Sequence, residues 1–360
     1  MHLSQQLKLI CNMQLHNRIN RDELKEIIMA DSRAYITISF YKYHPIKNPS
    51  LFRNHLYLKL IEVECLGRIY VATEGINAQI SLPAERLEDF ERVMDGIDFL
   101  TGLRLNKAVE EKRTEKSFIK LDIKVREKIV ADGIDDSEFN AFNNGKYLGP
   151  EEWNAMIDEK DTVVIDMRNH YESEVGRFEK AECPDVDTFK EELDSVIKTY
   201  KDSKGKPILM YCTGGIRCEK ASAWMKYNGF NNVYHLEGGI INYVNQVRTS
   251  DIENKFKGVN FVFDQRLAER ITADVLAECH QCGDVADTHV NCFNIGCHTL
   301  FIQCAKCGEE FEGCCSKECL AMSKCSEEEQ LQWRKNNPLP PNYQKGRLVK
   351  DRRLKLKKKK

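Results

Sequence analysis

The stretch Lys206-Pro207-Ile208-Leu209-Met210-Tyr211-Cys212-Thr213-Gly214-Gly215-Ile216-Arg217-Cys218-Glu219-Lys220 restricts the fold more than any other part of the chain. Its apolar run predicts a buried strand that stops at Tyr211 and delivers Cys212 into a turn carrying two glycines. The segment Cys218 to Tyr227 holds neither glycine nor proline and reads as a helix closed by Gly229. Neighbouring segments repeat the alternation. Leu148 to Trp153 starts a helix at Pro150, Thr162 to Arg168 is a buried strand, Thr188 to Tyr200 a helix, and Val233 to Leu236 a strand. Strands alternating with helices predict a parallel sheet with helices on both faces, whose ligands bind at the carboxyl ends of the strands. Cys212 falls at such an end, and Glu237-Gly238-Gly239 forms another wall of the same rim.

A cysteine that ends a strand is often apolar filler. Here the Gly-Gly-x-Arg that follows argues for chemistry. The glycines let backbone N–H groups of Thr213, Gly214, Gly215 and Ile216 turn inward, and the helix N-terminus adds partial positive charge. With Arg217, these favour thiolate over thiol at Cys212 and suit the turn to an anion. Cys218 can be read as a resolving thiol or as core packing. Tyr211, Trp224 and His235 can be read as stacking platforms for a base or as core.

Before this unit the pattern differs. Residues 1–33 read as a helical lead-in. Strands are expected at Tyr35–Tyr41, Arg68–Val71, Ile76–Leu82 and Phe118–Val125, with helices at Leu51–Cys65 (ending at Gly67) and Ala84–Met94. The order β-α-β-β-α-β is that of a ferredoxin-like α+β domain. Glu74-Gly75-Ile76-Asn77-Ala78-Gln79 reads either as a hairpin or as a functional loop.

Ten of the 15 cysteines lie between Cys279 and Cys325. A secreted disulfide scaffold would be shorter and signal-led, so clustered pairs point to metal. Cys279/Cys282, Cys292/Cys297, Cys304/Cys307 and Cys315/Cys319 are four successive pairs, enough for two four-cysteine zinc sites of structural type. Sequential and crossed pairing are both open. Cys315 is preferred to Cys314 for its shorter gap; His280, His289 and His298 are alternative ligands, and Cys325 is the spare.

No apolar run approaches a membrane span, and Met1 to Arg21 lacks the apolar core of a secretory signal, so a cytoplasmic protein is expected. Net charge is −2, but Lys345 to Lys360 carries ten Lys or Arg and one Asp. Such a tail is expected to be disordered, serving either solubility or salt-sensitive RNA binding.

Ile165-Asp166-Met167-Arg168 with Glu172 and Gly176 downstream, the Cys212–Arg217 turn, and Leu236-Glu237-Gly238-Gly239 resemble the rhodanese family. The resemblance implies persulfide sulfur carried on Cys212, with Asp166 and Arg168 bracing the site. Gly176-Arg177-Phe178-Glu179-Lys180-Ala181 departs from that family's usual Gly-His-Ile-Pro-Gly-Ala, which implies a different substrate range.

Further stretches, Ile38 to Tyr43, Glu74 to Gln79, Val130 to Asp136, Asp166 to Glu172 and Cys212 to Met225, resemble the bacterial tRNA uridine hydroxylases over about residues 15–320. This implies an oxidoreductase that uses molecular oxygen to form 5-hydroxyuridine at the wobble position of tRNA, gripping the anticodon loop, with Cys212 catalytic. No organic cofactor motif stands out. The alternative is a sulfurtransferase passing persulfide sulfur to tRNA or to a sulfur-carrier protein; a third reading is a non-enzymatic zinc-bearing adaptor. The expected domains are 1–33 (helical lead-in), 34–130 (ferredoxin-like), 145–250 (rhodanese), 260–325 (Cys-rich zinc module) and 326–360 (disordered basic tail). The oligomeric state stays open.

Overall fold

The computed structural model describes residues 20–109, 116–338 and 349–350. Most of the lead-in and of the lysine tail lie outside these residues. The described chain divides into two compact units. The first comprises residues up to Met167, Phe189–Asn254 and Val262–Arg266; the second holds Arg168–Thr188, Lys255–Phe261 and the chain from Leu267 onward. Among the described residues, no helix is long and apolar enough to cross a membrane.

The first unit contains two sheets. After α1 (Arg21–Ala30) come β1 (Tyr35–Tyr43), α2 (Pro49–Glu62), β2 (Leu66–Ala72), β3 (Gly75–Pro83), α3 (Leu87–Asp95), β4 (Asn106–Lys107) and β5 (Leu121–Val125). Helix α2 starts where expected on chemical grounds: Pro49 occupies its first turn, and the Asn48 side chain accepts from Leu51 N–H at 3.0 Å. Strict alternation puts Ile38, Phe40, Ile69, Val71, Ile76, Ala78 and Ile80 into one core under α2 and α3.

The strand order is β4-β1-β3-β2-β5. The strand that completes the split βαβ is thus the two-residue β4, antiparallel to β1, not Phe118–Val125 as the periodicity suggested. β5 lies at the opposite edge, parallel to β2. A five-residue strand shows a period of two, whereas a two-residue strand shows none. Gly67 does not stop a helix either; it lies inside β2, and the chain leaves α2 through Glu64 in the left-handed region at φ 54°.

The second sheet is built from β6 (Lys146–Leu148), β7 (Val163–Asp166), β9 (Ile208–Tyr211) and β10 (Val233–Leu236), in the order β6-β10-β9-β7 and parallel throughout. Ile165, Ile208 and Met210 pack with Phe189, Leu193, Ala221 and Met225 from α6 (Phe189–Thr199) and α7 (Ile216–Tyr227). Tyr211, one residue out of phase, meets Trp153 of α4 (Pro150–Asp158) edge-on at 5.9 Å. A last helix, α8 (Gly239–Val247), follows β10.

The second unit begins with α5 (His170–Ser173) and β8 (Gly176–Phe178). β8 pairs antiparallel with β11 (Phe256–Phe261), which also pairs with β12 (Ala268–Arg270). Residues 168–188, placed by their sequence in the rhodanese segment, therefore group with the Cys-rich region through strand pairing. Arg168 belongs here. It is fully buried, donates to Gly176 O at 2.6 Å and lies over the Phe256 ring.

Cys279 and Cys282 lie in the turn closed by the Glu278–Val285 bridge, and the hairpin β13 (His289–Asn291) and β14 (Leu300–Ile302), with α9 (Ala305–Phe311) and α10 (Lys317–Ser323), carries or flanks the cysteines that follow up to Cys319. Residues Glu327–Asn336, expected at the start of a disordered tail, instead form α11, because Ser326 and Glu329 close a capping box. Within the tail, Val349 is buried against the cluster of Cys292 and Cys297, and Lys350 pairs with Glu174 at 2.9 Å.

Candidate active site and metal centres

β9 hands Cys212 to the turn, and α7 begins four residues later, at Ile216. Gly215 caps that helix at φ +96°, a conformation L side chains rarely adopt, and a Cβ there would lie 2.8 Å from Tyr41 Oη. In this geometry Gly215 N–H donates to Cys212 Sγ at 3.1 Å. Two carbonyls of the turn are tied down from behind: Ile240 N–H donates to Cys212 O at 3.0 Å and Ile241 N–H to Thr213 O at 3.2 Å. This close approach requires Gly239, whose Cβ would stand 2.5 Å from Cys212 O.

Cys212 is fully buried, and burial alone would push its pKa up. The Cys218 thiol, the Arg217 guanidinium and the backbone N–H groups of Cys218 and Arg217 outweigh it and bring the thiol down to about 6. Cys218, buried beside an anion, moves well above the ordinary value. Cys218 thus contributes to the core and to holding the Cys212 charge. Thr213 and Gly214, half-exposed, are the part of the turn that meets solvent.

Side chains of the first sheet wall the same turn. Tyr43 Oη donates to Ile216 O at 3.3 Å, Tyr41 Oη to Glu219 at 2.9 Å, and Asn106 Nδ2 to Gly214 O at 3.4 Å. One helical turn further, Lys220 is buried and pairs with Glu74 at 2.8 Å and with Asp132. The loop at Glu74, open between hairpin and function, therefore supports the helix that follows Cys212.

The other expected site residues fall as follows. Asp166, fully buried, accepts from Tyr211 Oη at 2.7 Å and braces the strand end. Glu237 is paired with Arg104 at a half-exposed position on the rim. Tyr211 and His235 are core residues; burial holds the His235 imidazole down at about 4. Asn106 and Glu219 were given no role by sequence reasoning. Tyr41 and Tyr43 lie within the stretch Ile38 to Tyr43, where their spacing of two puts both on one face of the strand.

The cysteines gather into two quartets, Cys279, Cys282, Cys304 and Cys307, and Cys292, Cys297, Cys315 and Cys319. In each, four sulfurs lie within 4.8 Å of one another. The pairing is crossed, first with third and second with fourth. Sulfur separations of 3.6 Å (Cys282–Cys304), 3.8 Å (Cys297–Cys315) and 3.6 Å (Cys315–Cys319) match the edge of a zinc–thiolate tetrahedron, about 3.8 Å for Zn–S bonds of about 2.3 Å. The donor set fits zinc. Cys314 is buried outside both quartets, Cys325 is exposed, and His280 bonds instead to Glu174 at 3.3 Å.

A parallel sheet that presents a low-pKa cysteine in a six-residue turn at a helix N-terminus defines a rhodanese-type thiol domain. Family models agree, with "Rhodanese-like domain" matching residues 149–246, "UPF0176 acylphosphatase like domain" residues 35–129 and "Rhodanase C-terminal" residues 257–320. The chain is 53% identical over 317 residues to the tRNA uridine(34) hydroxylase of Pectobacterium carotovorum, covering 88% of this chain and 89% of the relative. It is 51% identical over 339 residues to that of Salmonella arizonae, covering 93% and 96%. The chain belongs to the tRNA uridine(34) hydroxylase family. Among solved structures, a rhodanese-like domain protein from Staphylococcus aureus is similar at 20% identity and a TM-score of 0.23, covering 27% of this chain and 90% of its own.

Proposed function

We propose that the protein is an oxidoreductase that hydroxylates the wobble uridine of tRNA, with Cys212 as its catalytic residue and molecular oxygen as co-substrate. The observation that carries this reading is the identity above 50% to tRNA uridine(34) hydroxylases along nearly the whole chain. The chemistry of the turn supports it. A sulfur with a pKa of about 6 is anionic at neutral pH and nucleophilic. Gly215, Arg217 and Cys218 hold that charge, Thr213, Gly214 and Ile216 complete the turn around it, and Asp166, Arg168 and Glu237 brace their own surroundings. An anticodon-loop base is already unpaired, so extruding it towards Cys212 costs little. Because Sγ is fully buried, reaction there requires the turn to open locally, or a persulfide to carry the reactive sulfur outward. Cys279, Cys282, Cys304 and Cys307, and Cys292, Cys297, Cys315 and Cys319, would each hold a structural zinc. A tRNA substrate places the protein in the cytoplasm, and the lysine tail would add phosphate contacts.

Mass spectrometry of tRNA from cells lacking the protein tests the reading. Loss of a single-oxygen increment at the wobble uridine, with label from oxygen gas and not from water in wild-type cells, is the expected result. Cys212→Ala complementation should restore none of it. Loss of a thiolated base instead would establish the sulfurtransferase alternative, which the rhodanese-like fold also accommodates.

A further inference from the structure

The sheet of β1 to β5 has one apolar face and one polar face. Residues between the core positions of β1, β2 and β3 point away from the core, and the register aligns them in rows. Asn106, Ser39, Gln79 and Arg68 are successive cross-strand partners, so they form one row. That row starts at the Cys212 turn. Asn106 Nδ2 donates to Gly214 O, and a Cβ on Gly214 would lie 3.8 Å from Asn106 Nδ2 and 3.9 Å from Ser39 Oγ.

Two polar atoms at this spot have no partner among the described residues, Asn106 Oδ1 and Ser39 Oγ, and Asn106 is only 5% exposed. Buried polar groups are rarely left unpaired without a reason. The orientation of the Asn106 amide follows from its neighbour. Gly214 O can only accept, so nitrogen faces the turn and Oδ1 remains an acceptor. The hydroxyl beside it can donate.

We propose that Asn106 and Ser39 are specificity-determining residues that read the polar edge of the uracil ring delivered to Cys212. Oδ1 of Asn106 accepts the ring N3–H, and the Ser39 hydroxyl donates to an adjoining ring carbonyl. The assignment rests on the wobble-uridine reading above and deepens it. Uracil carries a hydrogen at N3 between two carbonyls, while cytosine carries a lone pair there. Cytosine would set that lone pair against Oδ1 and leave the Asn106 acceptor without a donor, and a site built on hydrogen bonds rejects such analogues strongly.

The test uses the full chain and anticodon stem-loop RNAs bearing uridine, N3-methyluridine or cytidine at the wobble position, with oxygen insertion read by mass spectrometry. Wild-type protein is expected to prefer uridine over N3-methyluridine by at least about a hundredfold in kcat/KM. Asn106→Ala should lower kcat/KM for uridine by about a hundredfold and bring the uridine to N3-methyluridine ratio near one; Ser39→Ala should act in the same direction, by about tenfold. Alkylation of Cys212 by iodoacetamide, followed on its own peptide, should keep the wild-type rate in both variants.

An unchanged ratio in Asn106→Ala overturns the base-reading role while leaving the hydroxylase reading intact. An alkylation rate that falls in step with activity also overturns it, because Asn106 would then act through Gly214 on the turn. Wild-type protein that inserts no oxygen into the uridine RNA overturns the hydroxylase reading, and this assignment with it.

Discussion

Lys220 Nζ lies 2.8 Å from the Glu74 carboxylate, and the same buried ammonium is paired with Asp132, which has no exposed side-chain surface. Three segments far apart in sequence thereby meet one turn beyond the reactive cysteine. Removing one partner of a buried ion cluster leaves the others uncompensated. Lys220→Met should destabilise the chain by on the order of 3 kcal/mol in urea unfolding. A loss under about 1 kcal/mol, the range of exposed pairs, would show that water screens this cluster.

The acidity of Cys212 can be measured directly. Its alkylation rate should rise with a midpoint near pH 6 and level off by neutrality, whereas an ordinary cysteine titrates near pH 8.5. Arg217→Met should move the midpoint upward. Folding depresses this pKa, so the folded state binds fewer protons between the two values. The stabilisation is therefore complete above about pH 8.5 and is lost as pH falls through about 6. A midpoint at the ordinary value would refute the activation argument.

Gly239 is tested by substitution. Its φ is +67°, and a Cβ would crowd Cys212 O and Thr213 O at 2.5 and 2.7 Å. Gly239→Ala should displace the turn and reduce oxygen insertion by about a hundredfold, the cost expected for a misplacement near 1 Å. Gly205→Ala, where nothing lies within 4 Å of the added carbon, is the control and should leave activity unchanged.

Elemental analysis should find two zinc ions per chain. Cys282→Ser should lose one of them, as should Cys297→Ser, while Cys314→Ser and Cys325→Ser keep both. Four ions, or retention of both in Cys297→Ser, would contradict the quartets described above.

Much of the fold is legible in sequence where its signals are local. The strand ending at Tyr211, the glycines of the turn and the C-x-x-C pairs each occupy a few consecutive residues. What escaped was long-range. Asn106 sits in a two-residue strand too short to show a period, and nothing in its neighbourhood announces contact with Gly214 over a hundred residues later. Gly176 to Phe178 joined β11 by antiparallel pairing across nearly eighty residues. Arg168 looked like part of the rim because it follows the strand of Asp166, yet its guanidinium serves Gly176 and Phe256. The ligand pairing was open for a related reason: pair spacing constrains which two sulfurs act together, but not which second pair they meet.

The crossed arrangement of the two quartets has a bearing on biosynthesis. Cys279 and Cys282 find their partners only in Cys304 and Cys307, and Cys292 and Cys297 only in Cys315 and Cys319, so each quartet encloses one pair of the other between its own halves. Neither set of four thiols is complete in a growing chain until Cys307, and then Cys319, has been added.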